Sequence, residues 1–280
     1  MAVKIVTDSV SDLPSEVVEE LGITVVPLNV RFGDEVYRDG IDLTAEQFYD
    51  RLIHSQILPV TSVPTPAAFA GAYDKLTEET DAILSIVLSA KLSGTYEVAL
   101  QSVGLMKRKC RVEVIDSQWA VMAQGFIVIA AAKAAQAGAS IEEVIDITHR
   151  NMSRVDLLAA FDTLEYLKRG GRIGRAQAFL GSMLRVNPII TMKDGVVHPV
   201  ARERSRAKAL DYLYNFAMSY SYVEGLAVEN AACEDDAEML VEQLSNKIPK
   251  ERIYQSKTTP VIGTHTGPGL LLVAVLGDRE

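Results

Sequence analysis

The stretch over residues 82–88, Ala-Ile-Leu-Ser-Ile-Val-Leu, constrains this chain more than any other. It is short, apolar and β-branched, the pattern of a strand covered on both faces, as in the middle of a parallel sheet. It runs through Ser89 into Leu92-Ser93-Gly94-Thr95-Tyr96. Beyond that turn Val98, Leu100, Val103 and Leu105 recur among small and polar residues, which predicts a half-buried helix over 96–106. A strand that enters a helix through a hydroxyl-rich turn leaves backbone N–H groups free at the positive end of the helix dipole, an arrangement that suits an anion. In open α/β sheets ligands also lie at the carboxyl ends of strands. The local pattern leaves a second reading open, in which Ser93 or Thr95 only caps the helix.

The same rhythm fills the first half of the chain. Residues 3–6 predict a strand ending at Thr7-Asp8-Ser9, Pro14 opens a helix to about Leu21, and residues 23–30 predict a second strand. Residues 32–43 are polar and turn-rich, after which Thr44 caps a helix to about His54. Pro64 and Pro66 hold Thr61 and Ser62 on extended backbone before a helix begins at Pro66. A strand over 112–115 and helices over 119–136 and 141–152 complete this half. Strand alternating with helix predicts a mainly parallel, layered α/β domain over residues 1–155. Residues 156–280 read as an α+β domain, giving an α/β protein of two domains. In that second part, strands are predicted at 157–161, 223–229 and 270–276, and helices at 163–168, 175–184, 207–218 and 234–246. Lys193-Asp194-Gly195 marks a hairpin. Residues 263–269, with three glycines and a proline around His265, predict a tight exposed loop rich in free N–H groups.

Several functions are disfavoured by what the chain lacks. A chain of 280 residues buries enough surface to fold without disulfides or a structural metal. Cys110 and Cys233 are far apart, and no secretion leader is evident, which predicts a reduced, cytoplasmic protein. The apolar segment 120–139 is interrupted by Gln124, Gly125, Lys133 and Gln136, so it predicts a buried helix and no membrane span. A net charge of −9 argues against nucleic-acid binding. Basic residues still cluster at 168–175 and 202–208, which suits a solvated face or an acidic or phosphate-bearing partner. No nucleotide-phosphate loop is present. His54, His149, His198 and His265 have no metal-ligand spacing, so neither metal nor cofactor is expected. Ser93 is flanked by Lys91 and Thr95 where a nucleophile elbow needs glycines. Two hydroxyl groups of residues, Thr61-Ser62 and Ser93-Gly94-Thr95, remain as neutral donors fit for one carboxylate or phosphate. An esterase or acyltransferase built on Ser93 and His265 is the alternative.

The polar clusters, in their order, resemble the DegV family of bacterial fatty-acid-binding proteins. The resemblance spans nearly the whole chain. It rests on Thr7-Asp8-Ser9, Thr61-Ser62 before Pro64, Leu92-Ser93-Gly94-Thr95-Tyr96, and Asp116-Ser117 followed by Gly125. It continues through Thr163-Leu164-Glu165-Tyr166-Leu167-Lys168-Arg169-Gly170-Gly171-Arg172-Ile173, Arg204-Ser205 and His265-Thr266-Gly267-Pro268-Gly269. The resemblance implies a two-domain α/β fold with a long-chain fatty acid buried in it. It further implies the acyl-binding subunit of a fatty acid kinase, with no catalytic residues of its own. Such a subunit holds the fatty acid while a separate ATP-binding kinase subunit phosphorylates the carboxylate, and the acyl phosphate feeds phospholipid synthesis. Any contact with a membrane surface would then be transient. Carried over by residue, the resemblance gives Thr61 and Ser93 the carboxylate, with Ser62, Gly94 and Thr95 shaping that corner. Arg172, Arg204 and His265 fall at polar positions around the head group or on the kinase-facing surface. Val63 and Asn187 depart from the family pattern, which commonly has glutamine and lysine there.

Overall fold

The structure is a computed structural model that describes residues 2–279 except 183–185, with only the backbone of 181 and 182. The first half runs β1 (Lys4–Asp8), α1 (Ser15–Leu21), β2 (Thr24–Val26), β3 (Asn29–Phe32), β4 (Glu35–Arg38), α2 (Ala45–His54) and β5 (Val60–Ser62). It continues with α3 (Pro66–Leu76), β6 (Ala82–Val87), α4 (Thr95–Val103), β7 (Arg111–Asp116), α5 (Val121–Gln136) and α6 (Ile141–Met152). Then follow β8 (Val155–Ala160), α7 (Glu165–Arg169), β9 (Asn187–Lys193), β10 (Val196–Glu203), α8 (Arg206–Met218) and β11 (Tyr222–Asn230). The last elements are α9 (Glu234–Ser245), β12 (Ile253–Lys257), α10 (Pro260–Thr266) and β13 (Leu271–Asp278).

Three sheets form among the described residues, and the fold is of the mixed α/β class. One is parallel throughout, in the order β2-β1-β6-β7. As its apolar run requires, β6 is interior, and every residue from Ile83 to Val87 is buried. A six-stranded sheet has the order β10-β9-β8-β13-β11-β12, antiparallel except where β12 joins β11. A small antiparallel sheet, β4-β3-β5, holds Thr61 opposite Val30. Helix starts follow local chemistry: Thr44 with Gln47 and Ser140 with Glu143 form reciprocal caps on α2 and α6.

Helix α5 links the two large sheets. It packs on β1 and also on β8, β13 and β11, so most of its side chains are buried and it has no polar face. One apolar core therefore runs from Ile5 and Leu84 through Phe126 to Leu157 and Leu272. The helix begins at Val121, whose φ of 54° is rare for a β-branched residue. Burial of the next residue's N–H against Glu229 Oε1, at 2.9 Å, holds that turn in place.

Four local expectations are revised. Residues 23–30 are two strands, because Pro27 has no N–H to donate and breaks the ladder, and β2 and β3 join different sheets. The turn-rich segment 32–43 contains the edge strand β4, and β12 was not evident in the sequence. The segment 175–184 forms a 3-10 helix over Gly174–Ser182, and the remainder of that prediction lies outside the described residues. Residues 263–269 are not an exposed loop. They begin within α10, which starts with Pro260 in its first turn and ends at Gly267 with φ 72°. The glycine pattern hid this helix because Gly263 serves packing: a Cβ there would lie 2.5 Å from the Phe48 ring.

Candidate functional site

The turn after β6 is tied down from three sides. Leu88 N–H donates to buried Asp8 Oδ2 at 2.7 Å, Ser89 N–H to Trp119 O at 2.9 Å, and Ser89 Oγ to Gly195 O at 2.8 Å. Ser93 then faces inward. Its Oγ lies 2.9 Å from Thr95 Oγ1 and accepts the Thr95 N–H at 3.3 Å. A Cβ placed on Gly94 would be 3.9 Å from a Val63 methyl, so the end of β5 lies against this turn. Alternation along β5 leaves Val60 and Ser62 exposed and turns Thr61 inward. Thr61 Oγ1 meets His265 Nε2 at 2.9 Å.

His265 occupies the last turn of α10. Its Nδ1 is buried and has no hydrogen-bond partner among the described residues. It faces Gly170, where a Cβ would sit 2.2 Å from it, so only glycine leaves room for the ring. Burial, reinforced by the nearby Arg172 charge, lowers the His265 pKa to about 4 and keeps the ring neutral at neutral pH. Arg172 is anchored by Nε to Leu92 O at 3.1 Å and by Nη1 to Gly170 O at 2.5 Å.

These groups stand at one end of an apolar cavity. Its walls enclose about 790 Å³ of empty space, mouth included. Alternate residues Leu157, Ala159 and Phe161 of β8 and the following residue line it, as do Leu272, Val121 and Val261. Its polar lining among the described residues is Thr61, Ser93, Arg172, His265 and Thr266. A second, outer cavity is walled by Leu58, Val60, Tyr166 and Arg169 and shares Thr61, Arg172 and His265 with the first. The inner space is oily, the boundary polar, and the boundary faces outward.

The remaining sequence candidates fall around this boundary or away from it. Thr95 is buried and touches Ser93, while Ser62 and Gly94 are exposed and do not line the cavity. Arg204 is exposed beyond the end of β10 and lines neither cavity. Asn187 donates to Phe161 O and to Asp162 Oδ1, both at 3.3 Å. His265 bonds to Thr61 and not to Ser93, and among the described residues its other ring nitrogen has no carboxylate partner, which disfavours a serine hydrolase arrangement. Among the described residues no group of three or more His, Cys, Asp and Glu is placed to hold a metal, and no helix is long and apolar enough to cross a membrane.

Sequence reasoning missed the apolar walls, although the period-two spacing of residues 157, 159 and 161 carried a signal. It also missed four buried carboxyl groups behind the cavity. Burial raises Asp8 to about 7 and Asp39 to about 6, and it raises Asp12 and Glu229, which face each other. No local pattern in the sequence marks these acids as buried.

The profile of a family described as "Uncharacterised protein, DegV family" matches residues 2–278. Protein DegV of Bacillus subtilis is 36% identical over 276 residues, covering 97% of this chain and 98% of that protein. A DegV domain-containing protein of Streptomyces coelicolor is 37% identical over 278 residues, 98% of each chain. Among solved structures, a fatty-acid-binding DegV family protein from Thermus thermophilus superposes with a TM-score of 0.90 at 34% identity, over 99% of this chain and 100% of that one. DegV from Bacillus subtilis, described as a fatty acid binding protein, also gives 0.90, at 33% identity over 99% of this chain and 100% of that one. A stearic acid-binding protein from Eubacterium ventriosum gives 0.88 at 26% identity over 98% of each.

Proposed function

The chain belongs to the DegV family, and on that premise we propose that it binds one long-chain fatty acid and offers its carboxylate to a separate ATP-dependent kinase. The observation that carries the reading is the sharing of Thr61, Arg172 and His265 between an apolar inner cavity and an outer one. An acyl tail inside would leave its head group at that boundary, open to a phosphoryl donor arriving from outside. Residues 1–155 supply the hydroxyls, and residues 156–280 complete the pocket.

The division of labour follows from magnitudes. Burying an alkyl tail contributes ~0.8 kcal/mol per CH₂, so a long tail contributes on the order of 10 kcal/mol before binding costs. One hydrogen bond to a charged group adds about 1.5–3 kcal/mol. The tail sets affinity and the hydroxyls set position. If His265 carries its proton on Nε2, it donates to Thr61 Oγ1, and the Thr61 O–H stays free for a carboxylate oxygen. If Thr95 donates its O–H to Ser93, the Ser93 hydroxyl is free in the same way. The Arg172 charge is held by two backbone carbonyls beside the site, so it stabilises the head group without a fork-like clamp.

Native mass spectrometry of the protein purified from bacterial cytosol tests the first half of this reading, the expected result being one non-covalent fatty acid per chain. Incubation with a bacterial fatty acid kinase subunit and ATP tests the second, with acyl phosphate as product. Covalent acylation of Ser93, or ester hydrolysis abolished by Ser93→Ala, would overturn it in favour of an enzyme.

A further inference from the structure

The lipid pocket has a second neighbour besides its polar mouth. A wide groove beside the start of β8 and the end of β9 is lined by Trp119, Met152, Val200, Tyr212 and Phe216, with Asp156, Lys193, Asp194 and Arg279 among its polar residues. Among the described residues, pocket and groove share one lining residue, Met192 of β9, which is 7% exposed. The mouth shares three polar residues with the pocket, whereas this wall shares a single apolar one. Methionine is unbranched, with three rotatable bonds, and is the side chain best able to swing aside without disturbing the backbone. Met192 is held by strand pairing to Val197 of β10, so its backbone stays fixed while its side chain moves.

We propose that Met192 is the gate that sets the longest acyl chain this protein accepts. With the side chain in place the hydrocarbon ends inside the pocket. With it displaced, the methyl end of a longer chain passes into the groove and lies against its apolar residues, Trp119, Met152, Tyr212 and Phe216. The occupant of the groove is thus the tail of the same ligand. This inference rests on the reading of the pocket as a fatty-acid site.

Displacement of a fluorescent fatty acid by myristate, palmitate, stearate and behenate measures the length preference. Each methylene that gains cover is worth up to about fourfold in affinity, so two more are worth up to about fifteenfold. Met192→Ala should raise the affinity for behenate relative to palmitate by about tenfold over wild type, and Met192→Trp should lower it comparably. Met192→Leu, which keeps the volume, should leave the order near that of wild type and controls for folding. An independent readout needs no variant: Trp119, the single tryptophan of the chain, lines the groove. Behenate brominated at its methyl end should quench Trp119 fluorescence more than palmitate brominated at its methyl end. Palmitate binding with an unchanged length preference in both the Ala and Trp variants, or equal quenching by the two brominated acids, would overturn the gate. Failure of the wild-type chain to bind any of these acids would instead overturn the fatty-acid reading, and the gate with it.

Discussion

Replacement of Ser93 by alanine separates an anchor from a helix cap, the two roles its local sequence allows. The Oγ lost in Ser93→Ala accepts the Thr95 N–H at 3.3 Å and lies 2.9 Å from Thr95 Oγ1, so the turn that enters α4 loses a local hydrogen bond of about 1 kcal/mol. If the hydroxyl also donates to a carboxylate, the variant loses a further 1.5–3 kcal/mol of binding, about tenfold to a hundredfold in affinity. The apolar walls are untouched, so the tail keeps its contribution and the variant still binds. Palmitate and methyl palmitate, measured by displacement of a fluorescent fatty acid, distinguish the roles. The ester carries the same tail and no charge. The wild-type preference for acid over ester should shrink by the same tenfold to hundredfold in the variant. A preference that stays constant, or equal weakening of both ligands, would refute the anchor and leave only the cap.

Three further outcomes follow from the surroundings of the site. Gly170→Ala puts a Cβ within 2.2 Å of His265 Nδ1, so the ring must leave Thr61; palmitate affinity should fall at least tenfold and the melting temperature should drop with it. His265 should titrate near 4 by NMR in the ligand-free chain and move upward when a carboxylate binds beside it. Since the unfolded ring takes its proton near 6.5, this site costs stability as pH falls from there toward 4. Glu229 behaves oppositely. Burial raises its pKa from 4.5 to about 7, so its contribution to stability is present below 4.5 and is lost as pH rises through 7. Glu229→Gln keeps an acceptor for the Met122 N–H and removes that loss. Denaturation curves should show the variant gaining on wild type as pH rises, and parallel pH profiles would contradict the assignment.

Local chemistry was legible wherever one element decides its own conformation. The run at 82–88 had to be an interior strand because it has no polar face to expose, and Thr44 announced the α2 helix as its cap. The extended backbone of Thr61 and Ser62 was legible from the prolines, but which of the two faces inward was decided by the sheet that β5 joins. The α10 helix was hidden because its glycine allows close packing against Phe48 and Tyr49, and a packing partner more than 200 residues away leaves no local mark. The same reason covers the buried acids, the vacancy at Gly170 that admits His265, and the placement of Arg204 away from the cavity.

By itself, then, the sequence determined the strands and helices whose periodicity and caps are local, such as β6, α2 and α8, the absence of a phosphate loop or nucleophile elbow, and the hydroxyl pair around which a carboxylate could sit. Those properties depend on a residue and its near neighbours. Only the tertiary structure decided that Thr61 meets His265, that Arg172 is spent on backbone carbonyls, and that Met192 lines both pocket and groove. Each of these is a contact or a cavity between elements far apart in the chain, and its energy depends on distances that no periodicity encodes.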